Sequence, residues 1–344
     1  MTVELRRLEG RLDDERLGWI ARLYGPTDAK YRSLAYVRHQ FAENPFGWSV
    51  NVFAVADGEP VGHCGVVPFR ARLDGQPFTA GKLEALAVAP SHRGRRPDGG
   101  SVSVDVLRAL YALALATEMR VIFGLAPPRV GGIHVRAGCT LVPVDAPSLV
   151  LVTNPSGVGA GGSARRRLAA VLAAGQGALL AAAAAGAVGE VRVREPGPAD
   201  ADLAEAAAPA GAWTVSGADA WEWYAGSGAL QVVEVAGRHG SRALVRIGEA
   251  GAAPVQIVGW RAEAGGRRSA TALVAALAAL ARRAGAPTLR FQPWRGSGDD
   301  GTLARACARL GFVRRSDFDL LVKSDDEGFP AAAAAVNPFF YVTF

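Results

Sequence analysis

The stretch Leu83–Ser101, LEALAVAPSHRGRRPDGGS, gathers residue types that together bind an anion. It opens on an apolar run, Leu83 to Val88, which reads as a strand with one acid, Glu84, inside it. Pro90 closes that strand, because proline has no N–H to give to a ladder. His92, Arg93, Gly94, Arg95, Arg96, Pro97, Asp98, Gly99 and Gly100 then make a basic, glycine-bearing turn. Ser101 opens a helical run in which Val102, Val106, Leu107, Leu110 and Leu113 recur at helical spacing. Ser101 or a neighbouring glycine suits the N-cap. A helix start leaves backbone N–H groups without partners and carries the positive end of the helix dipole. A strand, a glycine turn and a helix in that order therefore hold phosphate groups well. An ordinary solvated basic turn has the same composition, so the surrounding elements must decide between the two.

Within this stretch, Leu86-Ala87-Val88-Ala89-Pro90-Ser91-His92-Arg93-Gly94-Arg95 resembles the fourth strand and pyrophosphate loop of the GNAT superfamily, the acyl-CoA-dependent N-acyltransferases. That family's loop reads Arg/Gln-x-x-Gly-x-Gly/Ala. Here it is irregular. Read without a gap, Arg96 and Asp98 stand where small residues belong; with Arg96-Pro97-Asp98 as an insertion, Gly99 and Ser101 take those places. The resemblance implies that the strand backbone at Leu86, Ala87 and Val88 pairs with pantetheine. It also implies that Arg93, Gly94, Arg95, Arg96, Gly99, Gly100 and Ser101 meet the pyrophosphate of acetyl-CoA or another acyl-CoA. Farther on, Ile133-His134-Val135-Arg136-Ala137-Gly138-Cys139 stands where the family reads Leu-Tyr-x-x-x-Gly-Phe, with His134 at the tyrosine position.

The elements needed to position these residues follow in order. Val3–Leu8 reads as a strand, Asp13–Leu23 as an amphipathic helix and Tyr31–Phe41 as a second helical stretch. Ser49–Ala56 and Pro60–Val67 flank Asp57-Gly58 as a hairpin, and Arg70–Leu73 and Pro77–Ala80 flank Asp74-Gly75 as another. Arg120–Leu125 is a buried strand, residues 126–132 a loop, and Thr140–Val144 a returning strand. Val191–Arg194 opens a second unit that repeats this order, with strands at Gln231–Val235, Ala243–Ile247, Val255–Trp260, Thr288–Phe291 and Phe318–Val322 and helices at Ala270–Ala284 and Thr302–Leu310. Leu303–Phe312 keeps the family's terminal Leu-Gly-Phe, but no clear Arg-x-x-Gly-x-Gly loop recurs.

The expected fold class is therefore α/β (α+β), with two GNAT-like domains, each a mixed, mostly antiparallel central sheet flanked by helices. Residues 1–153 form the acyl-CoA-binding domain, 154–190 a linker with an alanine-rich helix, and 191–344 a degenerate second copy.

With 344 residues, half of them hydrophobic, the chain can bury two cores. Its net charge of +6 suits an anionic partner such as coenzyme A. The arginines are scattered, and neither an RNA-binding module nor zinc-finger spacing is present, which argues against nucleic acid. Three distant cysteines, Cys64, Cys139 and Cys307, suit reduced thiols and a cytoplasmic location, and no Cys/His grouping has metal-ligand spacing. Leu168 to Gly189 is uncharged and about as long as a membrane span of ~20 residues. Its alanines, glycines and Gln176 favour an interdomain helix; a membrane-associated helix is the lesser alternative.

Acyl transfer to an amine needs a proton acceptor, donors for the oxyanion and a proton for the departing thiolate. Glu84, on the strand beside the implied thioester, can take the amine's proton; its structural alternative is a carboxylate paired with an arginine. His134 can protonate the thiolate or relay the proton; its alternative is a histidine capping a short helix. The acceptor is read as an amine of a small molecule, with antibiotics or amino sugars suggested only by the tandem resemblance. A non-catalytic ligand-binding or scaffold protein on a decayed GNAT fold is the competing reading.

Overall fold

The computed structural model describes residues 3–94, 100–142, 148–154, 190–204, 211–215, 220–225, 230–236, 240–247, 254–262, 266–291, 298–315, 319–330 and 334–336. β1 (Glu4–Gly10) pairs antiparallel with β2 (Ser49–Ala56), and α1 (Asp14–Tyr24) and α2 (Leu34–Phe41) lie between them in sequence. Asp13 caps α1 by accepting the Arg16 N–H at 2.9 Å, and Ser33 caps α2 through the Tyr36 N–H at 3.3 Å. The break between the helices is a 3-10 turn, Ala29–Arg32, so the stretch expected as one helix from Tyr31 begins only after Ser33. Trp19 of α1 packs edge-on against Phe53 of β2, ring centroids 5.4 Å apart.

Both Asp-Gly turns have positive φ at both residues, 50° and 81° at Asp57-Gly58 and 49° and 79° at Asp74-Gly75. That backbone matches the twist of a tight hairpin. The turns join β3 (Glu59–Leu73) to β2 and to β4 (Gln76–Val88). The shorter strands expected from sequence are pieces of these two long ones. Polar positions such as Arg70 and Lys82 interrupt an apolar pattern but not a backbone ladder. α3 (Val102–Leu115), β5 (Met119–Ala126), α4 (Pro128–Arg136) and β6 (Thr140–Val142) follow. α4 starts inside the expected loop, because a proline in the first helical turn gives up no needed N–H.

The second half supplies β8 (Val191–Arg194), β9 (Trp213–Val215), α5 (Trp221–Ala225), β10 (Leu230–Val235), β11 (Ser241–Ile247), β12 (Val255–Ala262), α6 (Arg267–Arg283), β13 (Thr288–Phe291), α7 (Gly298–Arg309), β14 (Val313–Arg315), β15 (Asp319–Lys323) and β16 (Ala334–Val336), and β7 (Ser148–Val152) precedes it. The class is α+β, with two mixed, mostly antiparallel sheets flanked by helices.

Each sheet takes in strands from the other half: β9, β15 and β16 join the first, and β7 joins the second. The first runs β1-β2-β3-β4-β5-β15-β6, with β9 and β16 added beyond β3. The second runs β14-β7-β13-β12-β11-β10-β8. β15 lies antiparallel between β5 and β6, pairing Leu321 with both Gly124 and Leu141. β7 lies antiparallel between β13 and β14, pairing Val150 with both Arg290 and Val313.

Three apolar layers result. One fills the space under α3, with Val106, Leu107 and Leu110 against Val52, Cys64 and Val66. A second lies under α6 and α7. The third is shared: α1, α2 and the opposite face of the first sheet meet Leu230, Val232, Leu244 and Val258 of the second sheet. Trp221 and Trp223 are buried in it, and the Trp223 indole donates to the His39 carbonyl at 3.0 Å while stacking on its ring. Among the described residues no helix is long and apolar enough to cross a membrane. The alanine-rich stretch 168–189 lies outside the described residues.

The exchange predicts that residues 1–153 expressed alone are not a folded unit. β5 and β6 would lose the strand between them, and the shared layer would lose one wall. Dispersed amide NMR spectra and a cooperative melt from this fragment would contradict the expectation; adding residues 190–344 in trans is expected to restore both.

Candidate functional site

Among the described residues the first sheet opens between two of its strands. β4 and β5 are parallel and paired from Thr79–Met119 to Lys82–Phe123, after which they part. Gly124 stands at the fork, where a Cβ would lie 3.0 Å from that of Leu83. β4 also bulges against β3, since Leu83 faces Val66 and Leu86 faces Cys64, leaving Glu84 and Ala85 opposite Gly65 alone. Beyond the bulge, among the described residues, the β4 backbone from Leu86 to Val88 has no partner strand on the β5 side.

A cleft of about 370 Å³ follows this free edge. Leu86, Ala87 and Val88 line one wall, and Arg93, Gly94 and Ser101 line the end toward α3. Leu23 of α1 and Thr27 in the turn after it close one side, and Val130, Ile133 and Arg136 of α4 another. Six residues expected for the cofactor thus border one space. Gly100 lies beside it in sequence, and Arg95, Arg96 and Gly99 lie outside the described residues. Arg93 donates its Nε–H to the Val88 carbonyl at 2.8 Å, which folds its guanidinium back over the strand end. Gly94 has φ +96°, a backbone that side-chain-bearing residues rarely adopt. Ser101 is the N-cap of α3, yet its side chain makes no capping bond. A helix start without that side-chain cap suits an acceptor from outside the helix.

The two expected catalytic residues lie in different layers. Glu84 faces α2 and is almost wholly buried. Its Oε1 accepts from Lys82 Nζ at 2.8 Å and from Gln40 Nε2 at 2.6 Å, and neither donor takes Oε2. The carboxylate is thus paired, but with a lysine two residues earlier on the same strand face, not with an arginine. His134 is buried on the α3 side, its Nδ1 hydrogen-bonded to the Tyr111 hydroxyl at 2.8 Å. Burial lowers its pKa to about 4, so the imidazole is neutral at pH 7. Tyr111 also bonds Cys139, whose thiol burial pushes up to about 11. Sequence reading did not find Tyr111, although its place in α3 one layer above α4 follows from helical spacing.

His63 proves to be a core residue. Its ring nitrogens meet the Tyr24 hydroxyl at 3.2 Å and Asn51 Oδ1 at 3.1 Å, and burial lowers its pKa to about 3. All three cysteines are buried free thiols, and burial raises each thiol's pKa. Among the described residues no group of His, Cys, Asp and Glu could hold a metal ion.

The corresponding fork in the second sheet is covered. β12 pairs in parallel with β13 only from Val255 to Ile257 and then runs on. There the backbone of the 3-10 turn Pro198–Ala204 lies against Gly259, so closely that a Cβ would fall 1.8 Å from the Leu203 carbonyl oxygen. Asp200 anchors this turn, buried and bound by Arg194 at 2.6 Å and Arg242 at 3.1 Å.

No protein-family model matches the sequence, and none of the curated proteins aligns with it. Solved structures do match. The chain is similar to a GCN5-related N-acetyltransferase from Kribbella flavida, at 14% identity and TM-score 0.52, over 97% of this chain and 74% of that one. It is similar to Saccharomyces cerevisiae N-myristoyltransferase with bound myristoyl-CoA, at 10% identity and TM-score 0.56, over 92% and 82%. It is also similar to a tandem GNAT protein from the clavulanic acid biosynthesis pathway, at 14% identity and TM-score 0.53, over 93% and 98%. At such identities the likeness is one of fold.

The two buried histidines set an acid limit on the molecule. Their folded pKa values lie below the ordinary value of ~6.5, so between those values the unfolded chain binds more protons. Stability is full above pH ~6.5 and falls as pH drops through about 4 and then about 3. Melting temperatures measured from pH 8 to 3 are expected to decline across this window, and less steeply in His134→Gln. A flat profile would mean that the imidazoles reach water.

Proposed function

The chain carries the GNAT fold in two copies, and from that premise we propose that it transfers an acyl group from acyl-CoA to the amine of a small molecule. The observation that carries the reading is the cleft at the fork of β4 and β5, which ends at an uncapped helix start beside Arg93. In this reading pantetheine adds to the free β4 edge at Leu86–Val88 through backbone hydrogen bonds. The pyrophosphate meets the α3 N-terminus with Arg93, Gly94, Gly100 and Ser101, joined by Arg95, Arg96 and Gly99 of the same loop. The fork leaves room for the thioester where the two strands separate.

Attack is direct. The amine nitrogen bonds to the thioester carbonyl carbon, the C–S bond breaks, one amine proton is lost, and coenzyme A leaves as the thiol. Glu84 accepts the amine's proton through Oε2, while Lys82 and Gln40 hold Oε1. His134, neutral and tied to Tyr111, relays a proton to the sulfur. The buried, protonated cysteines are poor nucleophiles, which disfavours an acyl-enzyme. The second half acts as a wall of the acceptor side, its own fork being covered by Leu203.

Arg93→Ala is expected to weaken coenzyme A binding in calorimetry, with the larger loss at low salt, where attraction is less screened. Equal affinity would place the cofactor elsewhere, the α6 start at Gly266–Ser269 being the next place to test. His134→Ala is expected to lower kcat by ~10²–10⁴-fold with coenzyme A affinity little changed. Glu84→Gln should cost most at low pH, where the amine is most protonated. Full activity in both variants, or an acylated cysteine trapped on quenching, would overturn the direct mechanism. Coenzyme A binding without product from a broad amine screen would favour the ligand-binding reading.

A further inference from the structure

A half-buried polar cluster, with Gln40, Lys82 and Glu84 at its buried end, forms where the 3-10 turn Ala29–Arg32, α2, β4 and β11 meet. Lys30 Nζ is 3.5 Å from the Asp28 carboxylate and lies over the Tyr31 and Tyr36 rings, 5.4 and 5.5 Å from their centroids. It is within electrostatic reach of Lys82, Glu84 and Arg246. Arg246 comes from the second half. Leu244, two residues earlier on β11, packs into the shared core, so Arg246 projects from the same strand face toward the first half. There it feels Tyr36 and Asp28, yet among the described residues its guanidinium has no hydrogen bond or ion pair. Burial lowers the pKa of both cations, Lys30 to about 8. Gln40 is 1% exposed, gives its N–H to Glu84, and keeps a buried Oε1 with no donor.

Two needs are therefore unmet in one place. Among the described residues Lys30, Lys82 and Arg246 face Asp28 and Glu84, which leaves the cluster one negative charge short. Gln40 Oε1 lacks one N–H. Buried groups left in this condition cost free energy until a ligand supplies their partners. The cluster adjoins the cleft lining along the chain: Thr27 lines the cleft and Asp28 follows it, while Ala87 lines it three residues after Glu84.

We infer that this cluster binds an acceptor bearing an amine and a carboxylate on one small molecule, an amino acid in chemical class. Arg246 receives the carboxylate with help from Lys30 and the Tyr36 hydroxyl, and Gln40 Oε1 accepts from the amine beside Glu84. A single missing charge matches a carboxylate better than a phosphate dianion, and the guanidinium fork takes two carboxylate oxygens at once. The fate of the bound amine rests on the acyl-transfer reading; the binding does not.

The test uses the full chain and ligand-detected NMR with the common α-amino acids, each beside its carboxamide. At least one amino acid is expected to bind more tightly than its carboxamide. Arg246→Gln should weaken that binding about tenfold or more, Arg246→Lys less, and neither should change coenzyme A affinity. Arg246→Gln should keep or raise the melting temperature, because it removes a half-buried charge that pairs with none of the described residues; a merely structural arginine would lower it. Tyr36→Phe, which removes only a hydroxyl, is expected to weaken the same binding by a smaller factor. The inference is overturned if no amino acid binds, if carboxamides bind equally, if inorganic phosphate binds more tightly, or if both variants bind as the natural chain does. Loss of coenzyme A binding with amino-acid binding intact would instead sink the acyl-transfer reading alone.

Discussion

The ladder between β5 and β15 is the interaction on which the rest of the molecule depends. β5 is held by β4 for only a few pairs before the two diverge, so its outer half needs another neighbour. β15 supplies one, from Asp319–Ala126 to Lys323–Ile122, and continues the sheet to β6. The fork can stay open because β5 is anchored on its far side. A strand edge left unpaired in the interior would otherwise close the fork or collapse it. The reciprocal insertion of β7 beside β13 ties the second sheet to the first in the same way.

The fork divides the chemistry between two faces. On the α3 side lie the free β4 edge, the uncapped helix start and the neutral His134–Tyr111 pair. On the α1–α2 side lie Glu84, Lys82 and Gln40, roofed by the second half. In the proposed acyl-transfer reading, a thioester placed between the strands would meet a proton acceptor from one layer and a proton relay from the other. Such a division lets a carboxylate and an imidazole serve one reaction without pairing with each other, which two groups so easily ion-paired would otherwise do. The second fork has the same strand order but carries a backbone segment where the first has a cleft, so repetition of the fold does not repeat the space.

Most of the fold was legible because the signals were local. Asp57-Gly58 and Asp74-Gly75 announce hairpins, Asp13 announces the start of α1, and apolar periodicity marks α3 and α6. The strand exchange was not legible. Ser148–Val152 and Asp319–Lys323 are both short apolar strands, and nothing in either says which sheet it joins; that is settled by the edges available once everything else has packed. The Glu84 partner could have been read, since Lys82 stands two residues away and shares its strand face. The Arg246 cluster could not, because its members are brought together only by the meeting of the two halves. The cleft-lining residues were readable as a motif, whereas the burial that makes His134 neutral was not.

The exchanged strands also govern how the molecule is made. Arg120 and Asp326, which clamp the start of β5 to the segment after β15, are 206 residues apart. A chain emerging from the ribosome completes β5 long before its neighbour exists, so the first sheet must wait, half-built, for most of synthesis. Contacts this distant in sequence close slowly, and the open edge is exposed to other nascent chains meanwhile. Slow closure, with an open strand edge during synthesis, is the cost of a cleft held open from both sides.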